Sequence, residues 1–413
     1  MNSGRKRRHG LFEAYGFAWG CCAVDRNSME VLPALPDSLR TEVATDQEAI
    51  KRDILLASSF SGHTLTLLNG RSVRKPAKWG RKVLLRTAAF APWLHDHNAL
   101  FMGGGAHPFL SPANVRAGAA WSPEQRAALA RLTDPLAHAW TNDQAFRLDL
   151  RFETPSEFAK LHAAVRVLLP VLPALTAASP VLEGRDAGYQ SARLQARLSA
   201  FDRAPALIGP FVPEAVFDQE SHDREVLVPI AQAAASSDRQ QGLDPLALNA
   251  RAATVDFERG VLTIHAVDGQ ESPSTNMAVA EFIIAVLKAL VSGRWVSTYL
   301  QRAWSAEDLR AILLDTIRDG DSATLSSGDH LLMFGLMKQG EMPALKLWQH
   351  LFVELYSDLS DNARQHIGTI LEHGTLATRL RNRIGSSFEQ DAIRTAYRGM
   401  AECFAADRVV PKH

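Results

Sequence analysis

The sequence has 413 residues, 46% hydrophobic and 22% charged, so it can bury a large apolar core in one large domain or two. Its 45 basic and 45 acidic side chains cancel, which excludes an overall charge that would attract nucleic acid or an anionic membrane. Three cysteines, Cys21, Cys22 and Cys403, exclude a disulfide framework, and the adjacent pair lacks zinc or redox spacing, so we expect a reducing cytoplasm.

The first ten residues are predicted to be a disordered basic segment. Residues 5–9 are basic, and amphipathic sequence follows them instead of the apolar core of a signal peptide. We therefore expect no export.

Two strands are expected early in the chain. Residues 11–32 are apolar and aromatic and end in turn-forming residues after Val24, and residues 64–68 form a second candidate that stops at an Asn-Gly pair. The basic, proline-containing residues 71–82 predict a solvated surface loop in preference to an anion site.

Three consecutive glycines at 103–105 follow the apolar residues 99–102. Glycines allow a sharp turn or a close approach to a ligand, but this run matches neither phosphate-loop pattern. The glycine run is therefore weak evidence for phosphate binding.

The cluster His95, Asp96 and His97 could supply ligands to a metal site, although a solvated polar loop is the simpler interpretation.

Residues 146–152 alternate strictly between apolar and charged side chains, which is the period of a strand with one buried face. Arg147, Asp149 and Arg151 therefore share the other face, which is either wet or lines a cavity. Another strand is predicted at 261–267.

Helical periodicity dominates the later sequence. A long helix is expected from Thr154 to Leu169, and Pro170 and Pro173 are expected to kink or end it. The most apolar helical stretch, residues 277–293, contains two charged residues and is too short to predict a membrane span. A helical layer is predicted from the stretches 306–319, 342–356, 361–372 and 389–404.

Several short stretches, taken together, resemble the second type of glutamate-cysteine ligase, a family of carboxylate-amine ligases. They fall in the order and near the spacing typical of that family, over roughly residues 11–300. The stretches are 105–108, 157–170 running on to 178–180, 213–217 and 270–273. The helical tail, with His373, Gly374 and Thr375, is compatible.

The resemblance implies an α+β fold of the glutamine synthetase/glutamate-cysteine ligase type. Its curved, mainly antiparallel sheet forms a funnel with helices packed outside, plus a helical C-terminal region. We predict a ligase-like domain over residues 11–305 and a helical region over 306–413 that packs on the same domain.

The resemblance also implies a reaction in which Mg-ATP phosphorylates a substrate carboxylate and an amine then displaces the phosphate to form an amide. A triphosphate carries about four negative charges, which magnesium ions held by carboxylates must offset. Glutamates on the strands are therefore the expected site residues.

At four of the family's glutamate positions this sequence has Ala18, Gly20, Thr66 and Thr263, and His265 replaces a phosphate-facing arginine. Alanine and glycine supply no ligand, and threonine supplies no charge. Loss of one charge-stabilising group commonly costs about 10² to 10³ in rate, so their joint loss predicts no ligase turnover. We expect no catalytic residues at these positions, no metal site and no cofactor.

Polar side chains remain at the expected mouth of the funnel. His107 could cap a turn, His265 could be a core histidine, and Asp268 could cap the turn at Gly269. Arg147, where the family has a histidine, could pair locally with Asp149. The candidates for ligand binding are His107, Asn142, Gln144, Arg147, Arg251, His265 and Asp268.

Three functional hypotheses follow from the sequence. The first is a degenerate ligase fold that acts as a non-catalytic subunit, scaffold or sensor, as a homo-oligomer or with an active ligase as partner. The second is an active ligase that recruits magnesium and ATP through other residues or a partner chain. The third is a module that binds a small carboxylate or other anion through Arg147, Arg251 and His265. Compensating acids could come from Glu13, Asp25, Asp53 or Asp149.

Overall fold

The computed structural model describes residues 9–32, 54–58, 63–69, 72–115, 122–237, 243–336 and 340–411, with side chains in all of these ranges except at 54–58 and 237. Most of the predicted basic N-terminal segment, and Asp53, lie outside the described residues. The strands are β1 (Tyr15–Asp25), β2 (Ile54–Ser58), β3 (Thr64–Asn69), β4 (Ala99–Met102), β5 (Ala145–Arg151), β6 (Val181–Leu182), β7 (Arg185–Asp186), β8 (Ala253–Asp256), β9 (Val261–Asp268), β10 (Thr324–Leu325) and β11 (Met342–Pro343).

Seven of these strands form one antiparallel sheet in the order β2-β3-β1-β5-β9-β8, with β4 paired to the C-terminal end of β1. Within the described residues the sheet is open, with β2 and β8 at its edges. The strands predicted at 64–68, 146–152 and 261–267 are confirmed as β3, β5 and β9, and so is the mainly antiparallel α+β fold.

The helices surround this sheet and account for most of the remaining chain. They are α1 (Pro76–Ala88), α2 (Ala91–Asp96), α3 (Pro123–Leu132), α4 (His138–Thr141), α5 (Pro155–Leu168), α6 (Pro173–Thr176), α7 (Ala192–Ser199), α8 (Gln219–His222), α9 (Val228–Ser237), α10 (Pro245–Leu248), α11 (Pro273–Val291), α12 (Thr298–Arg302), α13 (Ala306–Asp319), α14 (Gly328–Leu332), α15 (Ala344–Glu354), α16 (Asp361–His373), α17 (Leu376–Ile384) and α18 (Gln390–Ala406). A π-helical segment, Asp223–Leu227, joins α8 to α9.

The predicted helices lie close to their expected bounds. Thr154 begins α5 with a capping box, since its side chain accepts a hydrogen bond from Glu157 N and the Glu157 side chain accepts one from the backbone of Thr154. The tail is helical as expected, and Ser305 caps α13. The domain boundary at 305/306 stays a prediction.

The surface loop predicted for residues 71–82 is wrong from Pro76, where α1 begins. Proline is tolerated in a first helical turn, and the apolar side chains Trp79 and Val83 bury one face of the helix. The Trp79 ring lies 5.3 Å from that of Phe17 on β1. The prediction of a loop was wrong because the basic residues within 76–82 lie on the solvent-facing side of α1, and the buried side is apolar.

Helix α11 lies in the main core. Among the described residues it alone has the length and hydropathy of a membrane span, but 78% of its apolar window is buried inside the protein. That burial is typical of a core helix.

Helix α17 and the segment that follows α18 contact residues at the start of α11. Glu271 and Arg379 are fully buried, with Oε1 and Nη1 2.8 Å apart, and Val410 N donates to the same carboxylate at 3.1 Å. The Asp407 carboxylate accepts hydrogen bonds from Ser274 N at 2.9 Å and Ser274 Oγ at 2.6 Å. The tail therefore packs on the same core as the sheet.

Candidate functional site

One face of the sheet carries the four positions at which the family resemblance implies glutamates: Ala18, Gly20, Thr66 and Thr263. Ala18 is paired with Arg147 across β5, Gly20 with Thr66 across β3, and Asp149 with Thr263 across β9. Side chains alternate between faces along a strand, so these residues point away from the apolar core. We call this surface the open face; it comprises Gly16, Ala18, Gly20, Thr66, Arg147, Asp149, Arg151, Thr254, Thr263 and His265.

Gly20 lies where the sheet is too tightly packed for a longer side chain. A Cβ at this position would lie 2.9 Å from both Asp143 O and Gln144 Cα, and both are backbone atoms. Real Cβ atoms do not approach so closely, so the start of β5 occupies the space that a glutamate would need. At Gly16, by contrast, the three atoms nearest to a Cβ would all belong to the Asp149 side chain and not to the backbone.

The acids proposed as replacements do not converge. Asp149 Oδ1 accepts a hydrogen bond from Thr263 Oγ1 at 2.7 Å, Asp25 accepts from Ser28 in a turn, and Glu13 accepts from Gly10 N. Among the residues with described side chains, no three histidine, cysteine, aspartate or glutamate residues are placed to hold a metal ion. The group that includes His95 and Asp96 is on the surface, with side chains 90% and 74% exposed.

A buried network of charges lies at one end of the open face. The Arg193 guanidinium donates to Asp268 Oδ1 at 2.7 Å, Asp143 Oδ1 at 2.9 Å and His265 O at 3.0 Å. Burial disfavours the ionised Asp143 carboxylate, but Arg193, Arg147 and Arg197 overcome that effect and hold its pKa well below the ordinary value.

Two more arginines extend this network toward solvent. Arg147 is partly exposed and lies 3.2 Å from Asp143 Oδ2, and Arg197 donates through Nε to Ala250 O at 2.9 Å. Burial lowers the pKa of Arg197 to about 10, which leaves it charged at neutral pH. We call Arg147, Arg193 and Arg197 the arginine cluster. Its three cations exceed the two carboxylates, Asp143 and Asp268, that form ion pairs with Arg147 and Arg193.

His265 sits beside the arginine cluster. Its Nε2 lies 2.9 Å from Thr254 Oγ1, and burial, followed by Arg197 and Arg147, holds its pKa well below the usual value. It is therefore a neutral hydrogen-bonding group at pH 7.

Arg251 lies away from the open face. It is buried and makes a two-point ion pair with Glu214, with Nε to Oε2 at 2.7 Å and Nη2 to Oε1 at 2.5 Å. A further donor points to Asn249 Oδ1 at 3.2 Å. Its charge is already balanced by a neighbour.

His107 and Asn142 support each other inside the protein. The Asn142 side chain bonds both His107 N, at 2.6 Å, and His107 O, at 2.9 Å. His107 Nδ1 accepts from Phe109 N and Leu110 N, so its Nε2 donates to Met29 O at 3.0 Å. Burial lowers the pKa of His107 to about 4. This arrangement fits the turn-capping interpretation.

Asp268 is the centre of a buried cluster and not a simple turn cap. Besides Arg193, its carboxylate accepts from Ala178 N at 2.8 Å, Ser179 Oγ at 3.0 Å and Ser191 Oγ at 3.0 Å. Gly105 packs against it, since a Cβ there would lie 2.7 Å from the carboxylate. The glycine run at 103–105 therefore permits close internal packing.

The predicted ion pair between Arg147 and Asp149 is wrong. Arg147 has its ion pair with Asp143, and the predicted partner Asp149 bonds Thr263. Gln144 is buried and donates from Nε2 to Cys22 Sγ at 3.3 Å.

Arg193 and Arg197 were not predicted from the sequence. Their spacing of four residues on α7 places them on one helix face, and that signal could have identified them.

Comparison with known proteins agrees with this architecture. A family model described as glutamate-cysteine ligase family 2 matches residues 92–390. An uncharacterized protein of Archaeoglobus fulgidus is 29% identical over 211 residues, which are 50% of this chain and 55% of that protein. The match thus spans about half the length of that curated relative.

Solved structures share the fold at low sequence identity. The crystal structure of a Francisella tularensis glutamate–cysteine ligase in complex with AMP aligns with a TM-score of 0.63 and 11% identity, over 98% of this chain and 91% of that one. A bifunctional glutathione synthetase from Pasteurella multocida aligns with a TM-score of 0.52 and 10% identity, over 95% of this chain and 52% of that one. The family match covers well over half of the chain, and the chain therefore belongs to glutamate-cysteine ligase family 2.

Proposed function

We propose that this protein is a non-catalytic member of its family, which has lost the Mg-ATP site and acts as a subunit, scaffold or sensor. The packing around Gly20 is the observation that carries the proposal. Backbone atoms of Asp143 and Gln144 fill the space beside it, so the position is closed to a carboxylate and has not simply exchanged one ligand for another.

The charges on the open face support the same proposal. A metal-triphosphate site needs several anionic oxygens that face one point. Here Ala18, Thr66 and Thr263 supply none, and the acids closest to them, Asp143 and Asp149, already accept hydrogen bonds. A partner, either a second copy or an active ligase, would supply any chemistry.

A second candidate function is favoured by the arginine cluster: binding of a small carboxylate or another anion without metal. Arg147 and Arg197 stand at the half-buried edge of the cluster, and the cluster carries more positive than negative charge. Partly desolvated guanidinium groups bind carboxylates and phosphates strongly. Arg197 thus replaces Arg251 in the anion-binding hypothesis, because Arg251 is occupied by Glu214.

Isothermal titration tests both candidates. We expect no binding of Mg-ATP at micromolar concentration, and no phosphate release with amino-acid pairs that include glutamate plus cysteine. Micromolar, magnesium-dependent binding would overturn the non-catalytic proposal.

Under the second candidate, citrate binds in the presence of EDTA. Arg197→Gln should abolish the citrate signal, whereas the exposed control Arg259→Gln should retain it. Equal citrate signals for the two variants would exclude the arginine cluster as the site.

The closed position at Gly20 has its own test. We expect Gly20→Ala to lower the free energy of unfolding by about 1–3 kcal/mol, since the added carbon forces backbone to shift. The matched control is Gly368→Ala on α16, where a Cβ meets open space and should be neutral or stabilising by up to about 1 kcal/mol. Urea denaturation measures both. A fully stable Gly20→Ala protein would mean that the position can accept a side chain.

A further inference from the structure

A cavity lies on the opposite side of the sheet from the open face. It has a volume of about 640 Å³ and is bounded by the start of α1, the C-terminal half of α11 and the segment after α15. Tyr15 lines it, and Tyr15 points to the face opposite its neighbour Gly16 on β1. The cavity is therefore separate from the former ligase site.

The floor of this cavity is apolar. Ile284, Ala285 and Ala289 of α11 contribute one wall, and Leu355 contributes another. All four side chains are less than one-tenth exposed, so a ligand body placed there would contact closely packed hydrocarbon. A volume of this size is within the range of small-molecule sites, which are mostly apolar with a few polar groups.

The rim is cationic. The cavity is lined by four basic residues, Arg74, Lys75, Lys288 and Arg294, and by two acidic residues, Glu281 and Asp358.

The charged groups of the rim are not equally available to a ligand. The Glu281 carboxylate accepts from Ser360 N and Ser360 Oγ, and Arg294 is held by Glu354. Lys75 and Lys288 are exposed, and Lys288 Nζ lies 5.9 Å above the Phe12 ring. Four cations and two acids line the cavity, so its rim carries a net positive charge, and Lys75 and Lys288 are among its exposed cations.

A smaller adjoining cavity of about 350 Å³ continues this positive surface. It shares Arg74 and Lys75 with the first and adds Lys78 and Lys82. One continuous basic rim thus borders an apolar floor, and this pairing matches a molecule that is apolar at one end and anionic at the other.

We propose that this cavity binds an amphiphilic anion, a small molecule with a carboxylate head and a hydrocarbon or aromatic body. The body contacts Ile284, Ala285 and Ala289, and the head lies at Lys75 and Lys288. A nucleotide-metal complex does not fit this chemistry, because the floor offers hydrocarbon and the rim offers few hard oxygen ligands. The proposal is independent of whether the open face binds Mg-ATP.

Titration calorimetry of the full chain with dodecanoate, below its micellar concentration, tests the proposal. We expect saturable one-to-one binding, with dodecanol and dodecyltrimethylammonium at least about tenfold weaker, since a tenfold difference corresponds to about 1.4 kcal/mol of head-group interaction. Lys75→Glu and Lys288→Glu should each weaken dodecanoate binding by about tenfold or more. The matched control Arg81→Glu, an exposed α1 residue that does not line either cavity, should leave it unchanged.

A floor-filling variant, Ala285→Phe, completes the test. It should abolish binding while circular dichroism and thermal denaturation report a folded protein, and the surface variants decide the question if it does not fold. Equal binding of dodecanoate and dodecyltrimethylammonium, or equal weakening by Lys75→Glu and Arg81→Glu, would overturn the proposal.

Discussion

Lowering the pH from 7 to 5 should reduce the free energy of unfolding by about 6 kcal/mol through three buried histidines. Burial lowers the pKa of His107 to about 4, of His162 to about 3 and of His330 to about 4. An unfolded histidine titrates near 6.5. Below that pH the unfolded chain binds protons at these histidines, whereas the folded protein does not. Each histidine therefore stabilises the folded state above pH 6.5, and this stabilisation is lost as the pH falls toward the pKa of the histidine in the folded protein.

The hydrogen bonds of these histidines explain why protonation is unfavourable in the folded state. Nε2 of His162 is 3.0 Å from Glu214 O, and Nε2 of His330 is 2.9 Å from Val167 O, so each ring is held as a neutral donor. Their Nδ1 atoms are buried without a partner among the described residues. A proton on either Nδ1 would place a positive charge in the core without a partner.

Urea denaturation at several pH values measures this effect. The slope of the unfolding free energy against pH should approach about 4 kcal/mol per unit near pH 5.5, which is about 1.36 kcal/mol for each of the three protons. His330→Gln should lower the slope by about 1.36 kcal/mol per unit, the contribution of one proton. The control His95→Gln should leave it unchanged, because the His95 side chain is 90% exposed and stays in water in both states. A flat pH profile between 7 and 5 would contradict the prediction.

Asp268→Asn should cost about 3–5 kcal/mol of unfolding free energy. The substitution keeps the shape but removes the charge that balances Arg193, and both side chains are about 1% exposed. It also replaces an acceptor of four neighbours with a group that has one acceptor and two donors. The loss is large because Arg193 stays buried with only Asp143 to offset it.

Asp149→Asn is the matched control for that substitution. Asp149 is on the open face and accepts a hydrogen bond from Thr263, so we expect a loss below about 1.5 kcal/mol, the value of a typical hydrogen bond. Chemical denaturation at pH 7 compares the two variants. Similar losses for both would mean that the buried cluster does not depend on the Asp268 charge.

Regular elements were accessible from the sequence because their residue patterns are local. The alternation at 146–152 predicted β5, and the helix start at Thr154 with proline in the first turn predicted α5, each within a residue or two. β8 was missed because four residues, Ala253–Asp256, are too few to establish a period. α1 was missed because its exposed basic residues hid the buried pair Trp79 and Val83.

The site was predictable only in part. The family resemblance named the positions at which glutamates are expected, and that assignment stays a prediction. That Gly20 faces the backbone of Asp143 depends on how β5 enters the sheet. The partners of Arg251 and Asp268 lie 37 and 75 residues away, at Glu214 and Arg193. No local pattern encodes such pairs, which is why both residues had been considered as ligand-binding candidates.

The contacts of residues 407–410 with the start of α11 also bear on biosynthesis. Asp407 and Ser274 are 133 positions apart, and Val410 and Glu271 are 139 apart. Closing so long a segment is slow, and it cannot occur on the ribosome before the codons for these residues have been translated. Helix α11 therefore gains these C-terminal contacts only late in synthesis, and until then Glu271 and Ser274 lack the partners that they have in the folded protein.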